Sequence, residues 1–169
     1  MKSRSIFFII FLFAASVCFS QQTNTWDKWK WLTGDWVGEG NGEPGKGQGW
    51  FSLKEDLSGK VLVRKNHSEY PATNGRPATI HDDLMIVYPD NSGNPSKAIY
   101  FDNEGHKIEY SISFSDKTTI LLSDKAPNAP IFRLTYTSID ANTVEIKFEM
   151  SQDGEKFMTY TTGRCKRKS

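Results

Sequence analysis

The chain has 169 residues, of which 37% are hydrophobic, 24% charged and 13% aromatic. That length suits one domain, and the composition excludes collagen-like, low-complexity and wholly disordered chains. With 21 Lys and Arg against 20 Asp and Glu, the chain has little general attraction for nucleic acid or anionic membranes.

Lys2 and Arg4 precede a continuous apolar run from Ile6 to Ala15, followed by Ser16, Val17, Cys18, Phe19 and Ser20. A basic start, an apolar core and small residues near a cut predict a cleavable signal peptide over residues 1–20, removed after Ser20. A spanning helix needs roughly 20 apolar residues, and Ser16 and Ser20 interrupt this run too early. No later stretch is longer, so no transmembrane segment is expected, and the predicted destination is secreted or periplasmic. A lipoprotein fate would acylate Cys18, but Val17 stands where such sites take a small residue.

Cleavage leaves residues 21–169 with Cys165 as the only cysteine. One cysteine makes no internal disulfide, so the fold must rest on its core. Cys165 sits in Arg164-Cys165-Lys166-Arg167-Lys168, where neighbouring cations favour a thiolate. The simpler expectation is an unreactive thiol at the end of the last strand, followed by a solvated tail.

In chain order, Thr25 to Leu32 form a short helical turn capped by Thr25. Period-2 runs follow at Asp35–Glu39, Gly47–Lys54, Lys60–Glu69, Ile80–Tyr88, Lys97–Asp102, His106–Ser113, Thr118–Leu122, Ile131–Thr137, Thr143–Met150 and Lys156–Arg164. Alternation is clearest where Ile108, Tyr110, Ile112 and Phe114 interleave with polar residues, and where Glu145, Lys147 and Glu149 interleave with apolar ones. Connectors rich in Asn, Asp and Gly make hairpins, and none is long enough for the crossover that parallel pairing needs. The prediction is an all-β, ten-stranded antiparallel up-and-down β-barrel with a short N-terminal helix, one domain over 26–166. Closure would remove both sheet edges, and glycines such as Gly38, Gly40, Gly42, Gly45, Gly47 and Gly49 would permit the bend.

The opening Trp31-Leu32-Thr33-Gly34-Asp35-Trp36-Val37-Gly38-Glu39-Gly40 resembles the start of calycin-type barrels, where a G-x-W strand follows a short helix. Its form is most similar to the nitrobindin-like branch and to lipocalin-like domains of secreted bacterial proteins. The resemblance implies a barrel that holds a small apolar ligand, with haem as the nitrobindin case. A nitrobindin-like proximal histidine would lie on a strand near the C-terminus, and residues 143–169 contain none. No cofactor is therefore expected.

Polar residues concentrate at Arg64 to Tyr70, at His81-Asp82-Asp83 and between Tyr100 and His106. Parity puts His67 on one face with Val61, Val63, Lys65 and Glu69, and Arg64 on the other with Leu62, Asn66 and Ser68. His81 and Asp83 share a face with Met85 and Val87. If the His67 face points inward, His67 meets His81 or Asp82 across the hairpin, and a carboxylate beside imidazole suits a general base. Metal ligation, contact with a polar ligand and simple hydrogen bonding at the rim are the other readings of these groups. Arg133, with Tyr136 and Arg164, is a second possible anion receptor, since guanidinium binds carboxylate bidentately, although parity sets Arg133 apart from Tyr136. Five tryptophans cluster in the first thirty mature residues, to plug one end of the barrel or to line its cavity. The candidate ligand-binding residues are Trp36, Trp50, Arg64, His67, His81, Asp82, Asp83, Tyr100, His106, Tyr110, Arg133 and Tyr136. The expected partner is a small apolar or amphipathic ligand. A small hydrolase or isomerase using a His/Asp pair and a haem-binding protein are the alternatives.

Overall fold

From Gly34 onward, alternating polarity becomes ten antiparallel strands in the computed structural model, which describes residues 25–40, 47–127 and 129–169. They are β1 (Gly34–Gly38), β2 (Gln48–Asp56), β3 (Val61–Tyr70), β4 (Thr79–Tyr88), β5 (Lys97–Asp102), β6 (Lys107–Ser115), β7 (Thr118–Ser123), β8 (Ile131–Asp140), β9 (Thr143–Ser151) and β10 (Met158–Arg167). Each strand pairs with its neighbours in sequence, and β1 also pairs with β10. The sheet is thus a closed barrel, and the all-β expectation holds. The expected leader, Gly42 and Gly45 lie outside the described residues. No helix among the described residues is long and apolar enough to cross a membrane.

Period-2 alternation decides what fills the barrel. The even residues of β6 and β9 turn inward, where Tyr110 and Val144 are buried and Ile112, Phe114, Ile146 and Phe148 pack against the core. Leu53, Leu62, Met85, Val87, Ala98, Leu121, Leu134 and Tyr136 complete the interior from the other strands. The β8–β9 ladder shifts register between Ser138 and Asp140, and the β9–β10 ladder between Thr159 and Thr161. Bulges of this kind let a closing sheet bend.

A 3-10 turn at Thr25–Trp29, shorter than the expected helix, lies against one end of the barrel. Trp29 is fully buried, its indole meets Phe114 edge-on at 5.6 Å, and its Nε1–H donates to the Pro95 carbonyl at 3.5 Å. Trp36 Nε1–H donates to the Leu32 carbonyl at 2.9 Å. Trp26 and Trp31 pack against the same core, so four of the five tryptophans serve the core and the plug. Trp50 does not, being 47% exposed on the outer wall.

Arg164, Lys166 and Lys168 of the basic segment are exposed, as expected of a solvated end, but Arg167 is half-buried. β10 runs on to Arg167, which turns back beneath the plug. Its Nη1 and Nη2 donate to the carbonyls of Thr33 at 2.7 Å and Trp31 at 2.6 Å, with the guanidinium carbon 4.2 Å from the Trp36 ring centroid. A turn that stops short of a helix leaves carbonyls without partners, and Arg167 supplies donors to two of them.

Candidate functional site

At the end away from the plug, the inner face of β3, β4 and β5 changes from apolar to polar. Below that change, Leu62 stands opposite Val87, and Val87 opposite Ala98. Above it, Arg64 stands opposite Leu53 and Met85, Asn66 opposite Asp83, Ser68 opposite His81, and Asp83 opposite Asp102. Register therefore gathers Arg64, Asp83, His81, Tyr100 and Asp102 inside one end of the barrel.

Arg64 is 6% exposed and forms an ion pair from Nη1 to Asp83 Oδ1. Burial is the largest influence and disfavours its charge, but the Asp83 carboxylate together with Tyr136, Tyr100 and Cys165 outweighs it and raises the guanidinium pKa. His81 continues the network, with Nε2 3.0 Å from the Tyr100 hydroxyl and 3.6 Å from Asp83 Oδ2, and Nδ1 3.1 Å from Glu104. Asp83 is the chief cause of a His81 pKa pushed up to about 9; burial works against the shift and Glu104 adds to it. The protonated ring donates from both nitrogens, and Tyr100 in turn donates to Asp102 Oδ2 at 3.3 Å. Burial, then Asp83 and Asp102, hold the Tyr100 phenol far above its ordinary range, so it remains a donor. Asp102 also lies 2.8 Å from His106 Nδ1 and accepts from the His106 and Glu104 backbone N–H groups. Burial would raise its pKa, but these bonds lower it.

The other parity class faces outward. His67 does not enter the barrel to meet His81, because the Arg64 face is the one turned inward. His67 meets Asp82 and Glu69 on the outer wall, Nδ1 to Asp82 at 2.7 Å and Nε2 to Glu69 at 3.0 Å. Both contacts raise its pKa, Glu69 most. Its ring stacks on Trp50 with centroids 6.0 Å apart. With both nitrogens held by carboxylates, the imidazole is set up as a doubly donating cation. Among the described residues, no Ser, Thr or Cys side chain bonds to any of the three histidines, and no group of three or more His, Cys, Asp or Glu is arranged to hold a metal ion.

The second expected receptor comes apart. Arg133 bonds Glu149 at 2.8 Å and lies 3.9 Å from the Phe157 ring centroid, and Arg164 reaches Glu145 at 3.4 Å, both on the outer wall. Only Tyr136 of that trio is interior. Tyr110 and Cys165 are interior as well. Burial pushes the Cys165 thiol up to about 11, so the flanking cations, which point outward, make no thiolate of it.

Two openings adjoin these groups. One of 390 Å³ is lined by Trp36 and Phe51 from the interior and by Trp50, His67 and Glu69 from the wall. Inner and outer side chains share it because the wall between them is Gly38 and Gly49. A Cβ on Gly49 would run into the His67 carbonyl, and one on Gly38 would sit 3.3 Å from the Gly49 carbonyl. The other, of 450 Å³, lies along the outer wall between Trp50, Leu84 and Phe101. Phe51 and Asp102 were not among the residues singled out from sequence. For Asp102 the signal was present, since parity with Tyr100 puts it on the inner face.

No protein-family model and no curated protein matches the chain.

Proposed function

We propose that this protein is an exported barrel of the calycin type that binds a small, largely apolar molecule. The observation that carries the reading is the 390 Å³ opening, where the stacked rings of Trp36 and Phe51, with centroids 5.8 Å apart, lie beneath a rim that includes Asp35, Gln48, His67, Glu69 and Lys168. Small-molecule sites typically have volumes of roughly 300–1,000 Å³. Arg64 of the polar cluster reaches the floor from inside, 5.4 Å from the Phe51 centroid, and the glycine wall supplies the approach. Export rests on the leader pattern in residues 1–20, and the calycin kinship on the G-D-W strand that follows the plug.

Intrinsic tryptophan fluorescence tests the proposal, because Trp36 and Trp50 both line the opening. Titration with fatty acids, a sterol and haemin is expected to give saturable quenching with at least one of them. A strictly linear response to every member overturns the reading.

A further inference from the structure

Three buried polar atoms have no hydrogen-bond partner among the described residues: Arg64 Nε, the Tyr136 hydroxyl and the Thr119 hydroxyl. Burial strips water from such groups without replacing it, and unpaired groups in a native interior call for an explanation. They also share a region. Thr119 stands directly opposite Tyr136 on the β7–β8 ladder, and both residues are 0% exposed. Arg64 and Tyr136 both pack against Phe51, the guanidinium carbon 5.4 Å and the phenol ring 6.2 Å from its centroid. Phe51 belongs to the floor of the 390 Å³ opening.

From this arrangement we infer that Arg64, Tyr136 and Thr119 receive the oxygen of a carboxylate or carbonyl group on an otherwise apolar ligand. The inference rests on the binding function proposed above and specifies its ligand chemistry. An arginine Nε–H can only donate, so its complement must be an acceptor. Burial keeps the Tyr136 phenol neutral, its pKa pushed up to about 12 even though Arg64 draws it down, so its O–H is available too. Asp83 already balances the Arg64 charge. Acceptor strength, rather than net charge, therefore selects the head group.

The test measures displacement of N-phenyl-1-naphthylamine by decanoate, 2-undecanone and undecane. Both oxygen-bearing probes are expected to bind about tenfold tighter than undecane, the worth of a buried hydrogen bond or two. The tighter of the two identifies the head group as carboxylate or carbonyl. Tyr136→Phe and Thr119→Val each remove a hydroxyl that has no partner, so the melting temperature should hold or rise while the preference for oxygen falls about threefold or more. Equal binding of all three probes, or variants that keep the full preference, overturns the inference and leaves the apolar site standing; ordered water would then fill these groups. If no probe displaces the dye, the binding function fails and the inference with it.

Discussion

Asp83 on β4 and Asp102 on β5 stand directly opposite each other inside the barrel, each side chain 4% exposed, and each has its own partner: the Arg64 guanidinium and the His106 ring. Like charges directly opposite on a sheet repel. Separate counter-groups let the two carboxylates coexist, with the neutral Tyr100 hydroxyl donating to Asp102.

Removing one member of the buried pair should therefore be worse than removing both. Arg64→Met leaves Asp83 charged and unpaired, and is expected to lower unfolding free energy by about 3–5 kcal/mol. The double variant Arg64→Met/Asp83→Leu should recover most of that loss. Urea midpoints read the difference, and a double variant no more stable than the single one refutes the pairing argument.

His81 makes stability depend on alkaline pH. Its folded pKa, about 9, lies above the ordinary 6.5. The stabilisation is thus complete below pH 6.5 and is lost as pH rises through about 9. Partial exposure of the ring screens the contribution to about 1–2 kcal/mol. His81→Asn should flatten the stability profile across this window, and a profile as steep as that of the unaltered protein would show that another group is responsible.

His67 offers a spectroscopic check on the outer wall. Its ring should titrate by NMR with a midpoint above 6.5. Glu69→Gln should lower that midpoint more than Asp82→Asn does, since Glu69 is the larger cause. The pair is solvent-exposed, and neither variant should move the melting temperature appreciably. A midpoint that ignores both substitutions contradicts the double contact.

Arg167 holds the plug. Arg167→Ala leaves the Trp31 and Thr33 carbonyls without their donors and is expected to cost about 2–3 kcal/mol. Arg167→Lys should restore less than half, because an ammonium cannot span two carbonyls while lying flat on Trp36. Thermal unfolding followed through the tryptophan signal distinguishes the two.

Strand number, order and pairing were legible in the sequence, because alternation and Asn/Asp/Gly turns are local signals and a meander needs no long-range information. Parity also separated Arg64 from His67 and grouped His81 with Asp83. Which class faces inward was not legible on β3. Val61 and Val63 accompany His67, Leu62 accompanies Arg64, and only the closed barrel shows that the guanidinium takes the interior. The Arg167 clamp was hidden for a related reason. It joins residues 134 and 136 positions apart, and a cluster of cations near a chain end looks solvated until β10 is seen to pair with β1.

That pairing has a consequence for how the protein is made. The seam matches Trp36 with Arg167, Val37 with Lys166 and Gly38 with Cys165, so the first strand of the barrel waits for the last. Until residues 165–167 emerge, the nascent sheet has two free edges able to recruit strands from other molecules. Contacts this distant in sequence also form slowly. Delivery of the C-terminal strand is therefore the committing event of biogenesis, and proteolytic loss of a few residues there would release an aggregation-prone open sheet.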